Sequence, residues 1–293
     1  MKSITVFTPT YNRAYCLHQL YDSLVAQTNH DFMWMVIDDG STDGTKQLVQ
    51  SWINEAKIEI HYIYQENLGM HGGHNTAYQN ITTELNVCID SDDYMPANAI
   101  QIIVEQWNAI EDKSTFAGLI GLDGDKNGNI IGTKIPEELT KCTLSGLHHT
   151  YNVTGDKKLV FRTEIVNKYP KYPIFKNEKF VPLGYLYYLI DQDYFLKPIN
   201  EILVIVEYQE DGSTKNIFRQ YKKNPRGFAH SRTVRIKIAK SSKEKLKNTI
   251  HLISSCFFAK DISLLKKVNL LWVLVALPFA VVVHLYILYK IKN

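Results

Sequence analysis

The chain has 293 residues, 45% hydrophobic and 22% charged, which is enough to bury a large core and unlike a disordered, collagenous or coiled-coil sequence. Its four cysteines, Cys16, Cys88, Cys142 and Cys256, stand far apart without a C-x-x-C pair, which argues against a zinc ribbon or disulfide scaffold and predicts a reducing compartment. The net charge of +3 hides a segregation: Lys215 to Lys247 holds twelve Lys or Arg and one acid, Glu244.

The N-terminal MKSITVFTPTYNR has a short apolar stretch broken by Pro9, which predicts no secretory signal. SITVFTP is short, β-branched and ended by proline, as a strand would be. Leu17, Leu20, Tyr21, Leu24 and Val25 recur at helical spacing. FMWMVI is a continuous apolar run, predicting a strand covered on both faces of a parallel sheet, and it stops at Asp38-Asp39-Gly40. Thr45 to Glu55 has a helical pattern, IEIHYIY reads as a third strand and LNVCID as a fourth, ending at Asp90-Ser91-Asp92-Asp93. Right-handed crossovers align the C-terminal ends of such strands along one edge, where open α/β sheets bind ligands. Thr8, Tyr11, Asn12, Arg13, Asp38, Asp39, Asp90 and Asp92 all collect there.

Residues 111–212 are looser, with turns at Asp123-Gly124-Asp125, Asn127-Gly128 and Gly155-Asp156, and read as the second half of one α/β domain spanning 1–212. Residues 213–265 form a basic segment suited to an anionic surface. Val268 to Tyr289 contains no charge, is long enough to cross a bilayer, and has Lys266, Lys267, Lys290 and Lys292 around it. An apolar run so close to the basic block favours phospholipid headgroups over nucleic acid as partner. Residues 266–293 are therefore expected to be a membrane-attached helix, spanning or, with Pro278 near its middle, re-entrant.

Asp90-x-Asp92 on a strand-end turn can present two carboxylates to one hard cation, Mg²⁺ or Mn²⁺, which fills its remaining shell with water and substrate phosphate. Walker and G-x-G-x-x-G loops are absent. The glycines of Gly69-Met70-His71-Gly72-Gly73-His74-Asn75 predict a close backbone approach; His71 and His74 lack further ligands at metal spacing.

TVFTPTYNR, VIDDGSTDGT and CIDSDD, in this order, resemble the inverting family 2 glycosyltransferases of GT-A fold, of the kind that assembles bacterial surface polysaccharides. The resemblance covers roughly residues 3–210 and implies a doubly wound mixed sheet whose half at 1–110 binds a nucleotide-sugar and whose half at 111–212 receives the acceptor. By the same resemblance, Thr8 and Tyr11 would contact the nucleoside, Tyr11 by stacking, and Asp39 would accept hydrogen bonds from the base. His74, in place of a commoner Arg or Lys, and Asn75 would lie near the donor phosphates. Asp90 and Asp92 would be the D-x-D, Asp92 making the direct metal contact. Asp156, Lys157 and Arg162 in GDKKLVFRTEI resemble an acceptor-side segment, with structural salt bridging an equal account of them. The general base is expected in FKNEKFVPLG, where relatives carry an acid at the position of Leu183; the nearest carboxylates are Glu178 and, as an alternative, Asp191. The implied activity is metal-dependent, inverting transfer from a nucleotide-diphosphate sugar, most often a UDP-sugar, to a saccharide or lipid-linked acceptor at the cytoplasmic face of the cell membrane. The alternative is a non-catalytic nucleotide-sugar-binding scaffold of a membrane complex.

Overall fold

The computed structural model describes residues 2–207 and 216–292. Two compact units result: Met1–Lys171 with Ile190–Tyr208, and Tyr172–Leu189 with Gln209–Asn293.

The first unit alternates strand and helix in the predicted order. It contains β1 (Ile4–Thr10), α1 (Leu17–Val25), β2 (Phe32–Asp38), α2 (Thr45–Glu55), β3 (Ile60–Tyr64), α3 (Met70–Asn80), β4 (Leu85–Cys88) and α4 (Ala99–Asn108). After these come β5 (Phe116–Gly124), α5 (Leu144–His149), β6 (Lys157–Arg162), α6 (Thr163–Asn167), α7 (Gly184–Ile190), which runs from the second unit back into the first, and β7 (Phe195–Ile205). The strands form one sheet in the order β3-β2-β1-β4-β6-β5-β7. β3, β2, β1 and β4 are mutually parallel, while β6 is antiparallel to both β4 and β5. This is the mixed, doubly wound α/β sheet that the sequence predicted.

Both faces are covered, which explains the unbroken apolar run of β2, buried at all its positions. Val6, Trp34 and Val36 join Leu20, Tyr21 and Trp52 of α1 and α2 in the main core. There Tyr21 stacks on Trp52 with ring centroids 4.3 Å apart, while its hydroxyl donates to Glu55 at 2.9 Å. On the opposite face Phe7 meets the edges of His74 and Tyr78 from α3. A Cβ on Gly73 would stand 2.8 Å from Pro9 Cβ, so α3 lies against β1 through the predicted glycine contact.

The second unit is helical: α8 (Ile217–Lys223), α9 (Pro225–Ile238), α10 (Ser242–Ala259), a 3-10 helix at Ile262–Lys267, and α11 (Leu270–Lys292). Its organisation departs from the expected boundaries, of which residue 212 and Lys215 lie outside the described residues. The basic segment and the apolar helix form one unit instead of two, and residues 172–189 join it. The physical reason is a set of aromatic contacts: Phe180 packs on Phe228, and Tyr185 and Phe175 flank His230. Among the described residues, α11 is the one helix long and apolar enough to cross a membrane, with a mean hydropathy of 2.4 over its most apolar window.

Candidate functional site

The ends of β2, β1 and β4 are neighbours, so the loops that follow them share one edge of the sheet. Asn12, at the left-handed φ of 53°, ties the first loop to the second: its Oδ1 accepts from Thr42 N at 2.7 Å, and its own N–H donates to Ser41 Oγ at 2.9 Å. Tyr11 leaves this turn with 48% of its surface exposed, suiting a stacking ring. Thr8 is different. It is fully buried and its Oγ1 accepts from the Trp34 indole at 3.0 Å, which ties β1 to β2.

The acidic pair after β2 clamps the loops. Asp38 accepts from Ser41 N at 2.7 Å and the Tyr62 hydroxyl at 2.6 Å. Asp39 is buried and accepts from Gln65 Nε2 at 2.6 Å and from the N–H groups of Leu68 and Gly69 at 2.7 Å each. Its carboxylate therefore builds the β3–α3 loop, a role the sequence did not indicate beside its expected one toward the base. Gly40, at φ 85°, is required here because a Cβ would lie 2.9 Å from Asn67 N.

His74 is buried against Phe7 of β1. It is 1% exposed, its Nδ1 is 3.0 Å from the Met70 carbonyl as a donor, and burial pushes its pKa down to about 4. The imidazole is neutral at pH 7, and Asn75 beside it is half-buried.

Asp90 and Asp92 are half-buried on the turn after β4, next to buried Asp93. The Cys88 thiol donates to Asp90 Oδ1 at 3.9 Å. Burial and the charge of Asp90 push Asp93 up to about 7. Facing these acids is Lys158 of β6, whose Nζ donates to the Cys88 carbonyl at 3.2 Å. Burial opposes its charge, but Asp123, Asp90 and Asp93 together hold its pKa above the ordinary value. Asp123, at the end of β5, is 4% exposed, its Oδ1 has no hydrogen-bond partner among the described residues, and burial raises its pKa. Lys158, Asp93 and Asp123 were missed as site residues. Strand alternation was the available signal: β6 runs antiparallel between β4 and β5, with Lys158 opposite Gly121, which places its ammonium at the acidic ends of both.

Among the described residues no group of three or more His, Cys, Asp or Glu is placed to hold a metal. A two-carboxylate site such as Asp90 and Asp92 fits a cation that takes its other ligands from substrate phosphate and water, and the half-open oxygen donors suit Mg²⁺ or Mn²⁺.

The two carboxylates expected as base candidates both meet backbone amides. Glu178 is 5% exposed, and its two oxygens accept from Arg226 N at 3.0 Å and Gly227 N at 2.9 Å, the first-turn amides of α9. Asp191, 7% exposed, does the same for α5, accepting from Leu144 N at 3.1 Å and Ser145 N at 2.7 Å. Both carboxylates thus hold helix N-termini, a role the sequence did not indicate beside the base role expected of them. Arg162 likewise serves the fold, donating to the carbonyls of Lys113 and Phe116, while Lys157 donates to those of Thr154, Gly155 and Asp156.

Residues 5–164 match the sequence profile described as Glycosyl transferase family 2. The chain belongs to that family. An uncharacterized glycosyltransferase of Nostoc sp. is 28% identical over 169 residues, covering 56% of this chain and 52% of that protein. The poly(ribitol-phosphate) beta-N-acetylglucosaminyltransferase TarS of Staphylococcus aureus is 24% identical over 57% of this chain and 28% of its own length. The chain thus spans about half or less of the curated relatives it matches. By fold, this family 2 chain is similar to residues 1–349 of S. aureus TarS in complex with UDP-GlcNAc, with a TM-score of 0.60 at 18% identity, covering 88% of this chain and 73% of that one. It also resembles a mannosyltransferase from Pyrobaculum calidifontis in complex with GDP-Man and Mn²⁺, with a TM-score of 0.56 at 18% identity over 99% and 82% of the two chains.

Proposed function

We propose that this family 2 chain is a metal-dependent, inverting glycosyltransferase that moves a sugar from a nucleotide-diphosphate sugar, a UDP-sugar first among them, to a saccharide or lipid-linked acceptor. The observation that carries the reading is the division among the acids at the sheet edge: Asp90 and Asp92 stay half-open while their neighbours are buried or bound to backbone N–H groups. Tyr11 offers an exposed ring for the nucleobase, at the same sheet edge as the loop clamped by Asp39. Asp90 and Asp92 would hold the divalent cation, which as a Lewis acid supplies charge to a diphosphate leaving group. Lys158 keeps the acid cluster from carrying its full negative charge, so that a diphosphate is not repelled. A location at the cytoplasmic face of the cell membrane is supported by apolar α11 and the basic helices before it.

One observation favours the scaffold reading: Glu178 and Asp191 are helix anchors, and Leu183 stands where the resemblance expects an acid. A screen of UDP- and GDP-sugars with Mn²⁺ separates the two. Slow Mn²⁺-dependent donor hydrolysis supports the enzyme. Donor binding without consumption, with and without candidate acceptors, supports the scaffold, and the absence of any binding overturns both.

A further inference from the structure

The second unit determines how α11 can meet a membrane. One stripe of this helix is covered at every turn: Ala276, Ala280 and Ile287 are buried, and Val273, Val283 and His284 are half-buried. Ala276 and Ala280 receive Ile253 of α10, and His284 Nδ1 lies 3.1 Å from Ser254 Oγ of the same helix. Near the other end Phe218 of α8 meets the Tyr286 ring at 6.0 Å. The opposite stripe is open, with Leu271, Val282 and Tyr289 at 68%, 67% and 62% exposure. At about 100° per residue these three fall within roughly 20° of one another on the helical wheel.

A helix that crosses a bilayer alone has lipid around its circumference through the hydrocarbon layer. Here the partner along the covered stripe is α10, which packs through Leu252 and Cys256 on Ile236 of α9, and α9 bears exposed Lys237 next to that contact. Carrying α11 across the bilayer would draw these charged, water-facing layers into hydrocarbon. Lysines at both ends of α11 suit a crossing or a surface geometry equally, so the covered stripe decides.

We propose that α11 is an in-plane anchor lying on an anionic bilayer surface, its Leu271–Val282–Tyr289 stripe sunk among the acyl chains and its Ala276–Ala280–Ile287 stripe held by the helical unit. Lys266, Lys267, Lys290 and Lys292, all exposed, then sit at one leaflet's headgroups, complementary to anionic lipid. This deepens the membrane reading above and depends on it.

The test uses full-length protein with a nitroxide attached at Cys introduced at Leu271, Val282 or Tyr289, on vesicles of phosphatidylcholine containing phosphatidylglycerol. Depth is read from power saturation with oxygen and a water-soluble nickel chelate. In-plane docking predicts equal, shallow depths at the three sites, and binding about tenfold weaker or more on phosphatidylcholine alone. A crossing helix would instead give a depth gradient of about 1.5 Å per residue, roughly 27 Å between the outer sites. That result overturns the in-plane geometry and leaves membrane association standing. No binding to either vesicle overturns both, and a lipid-free dimer by light scattering that Leu271→Glu dissociates reassigns the stripe to a second copy of the chain.

Discussion

Replacing Glu178 separates a catalytic acid from a structural one. Its carboxylate closes the N-terminus of α9 by accepting two first-turn amides, with the Arg226 guanidinium 3.9 Å away as a weaker, half-exposed contribution. Hydrogen bonds to a charged group are worth about 1.5–3 kcal/mol each, and capping interactions about 0.5–2 kcal/mol in mutational series. Glu178→Ala leaves both amides without an acceptor in a site that is 5% exposed, and should cost about 3 kcal/mol. Glu178→Gln keeps one acceptor but turns an NH₂ toward the other N–H, for a cost of about 2 kcal/mol. On the scaling for chains of 150–250 residues, about 2–4 °C per kcal/mol, the Gln variant should melt roughly 4–8 °C lower. Hydrogen exchange at the Arg226 and Gly227 amides should rise before the rest of the unit opens, which reads the cap directly. Turnover per folded molecule should stay within about threefold of the parent, far from the 10²–10⁴ that general-base loss costs. An unchanged melting temperature and amide exchange with turnover reduced by that order would refute the cap and restore Glu178 as the base.

Asp92→Asn should abolish Mn²⁺-dependent donor turnover while thermal unfolding is unchanged; full activity of the parent in EDTA would remove the metal assignment. Lys158→Met should destabilise by about 3–5 kcal/mol, the usual cost of removing one partner from a buried charge cluster, and Lys158→Arg should recover part of it; equal melting temperatures for Met and parent would show the cluster is not balanced by this lysine. His74 titrates at about 4 in the folded chain against an ordinary 6.5, so the folded state holds fewer protons between these values. Its stabilisation is complete above about pH 6.5 and is lost as pH falls toward 4, by about 2 kcal/mol at pH 5. His74→Asn, which can still donate to the Met70 carbonyl, should flatten that slope in urea melts; an unchanged slope would place the acid sensitivity elsewhere.

The sheet was legible because its evidence is local. The unbroken run of β2, the helical spacing in α1 and α2, and the acidic turns closing β2 and β4 are each contained in about ten residues, and all fell where the sequence placed them. What was not legible depends on partners far along the chain. Glu178 meets amides 48 and 49 residues later, and Asp191 meets amides 47 and 46 residues earlier. A motif names a carboxylate but not the N–H that occupies it. The 172–189 segment joined the helical unit for the same reason, since its aromatic partners Phe228 and His230 follow about fifty residues on. In α11 a hydrophobic run without a polar face concealed its covered stripe, and Ala276 and Ala280, small residues one turn apart, were the trace it left.

Burial then separates the acids that the motifs group together. A carboxylate removed from water must be compensated by hydrogen bonds or a nearby positive charge. Asp39, Glu178 and Asp191 are each under 10% exposed, and each is bound by backbone amides, so their charge is already used in holding loops and helix ends. Asp93 and Asp123 are equally buried and are balanced by Lys158. Asp90 and Asp92 are half-buried instead, Asp90 near enough to Lys158 to be steadied and both open enough to meet a ligand. An arriving cation and diphosphate would bring compensating charges of both signs to that one place. The loop anchors and the balanced pair have no such need, which is why substitution at Asp92 should be read in turnover, at Glu178 in stability, and at Lys158 in stability first.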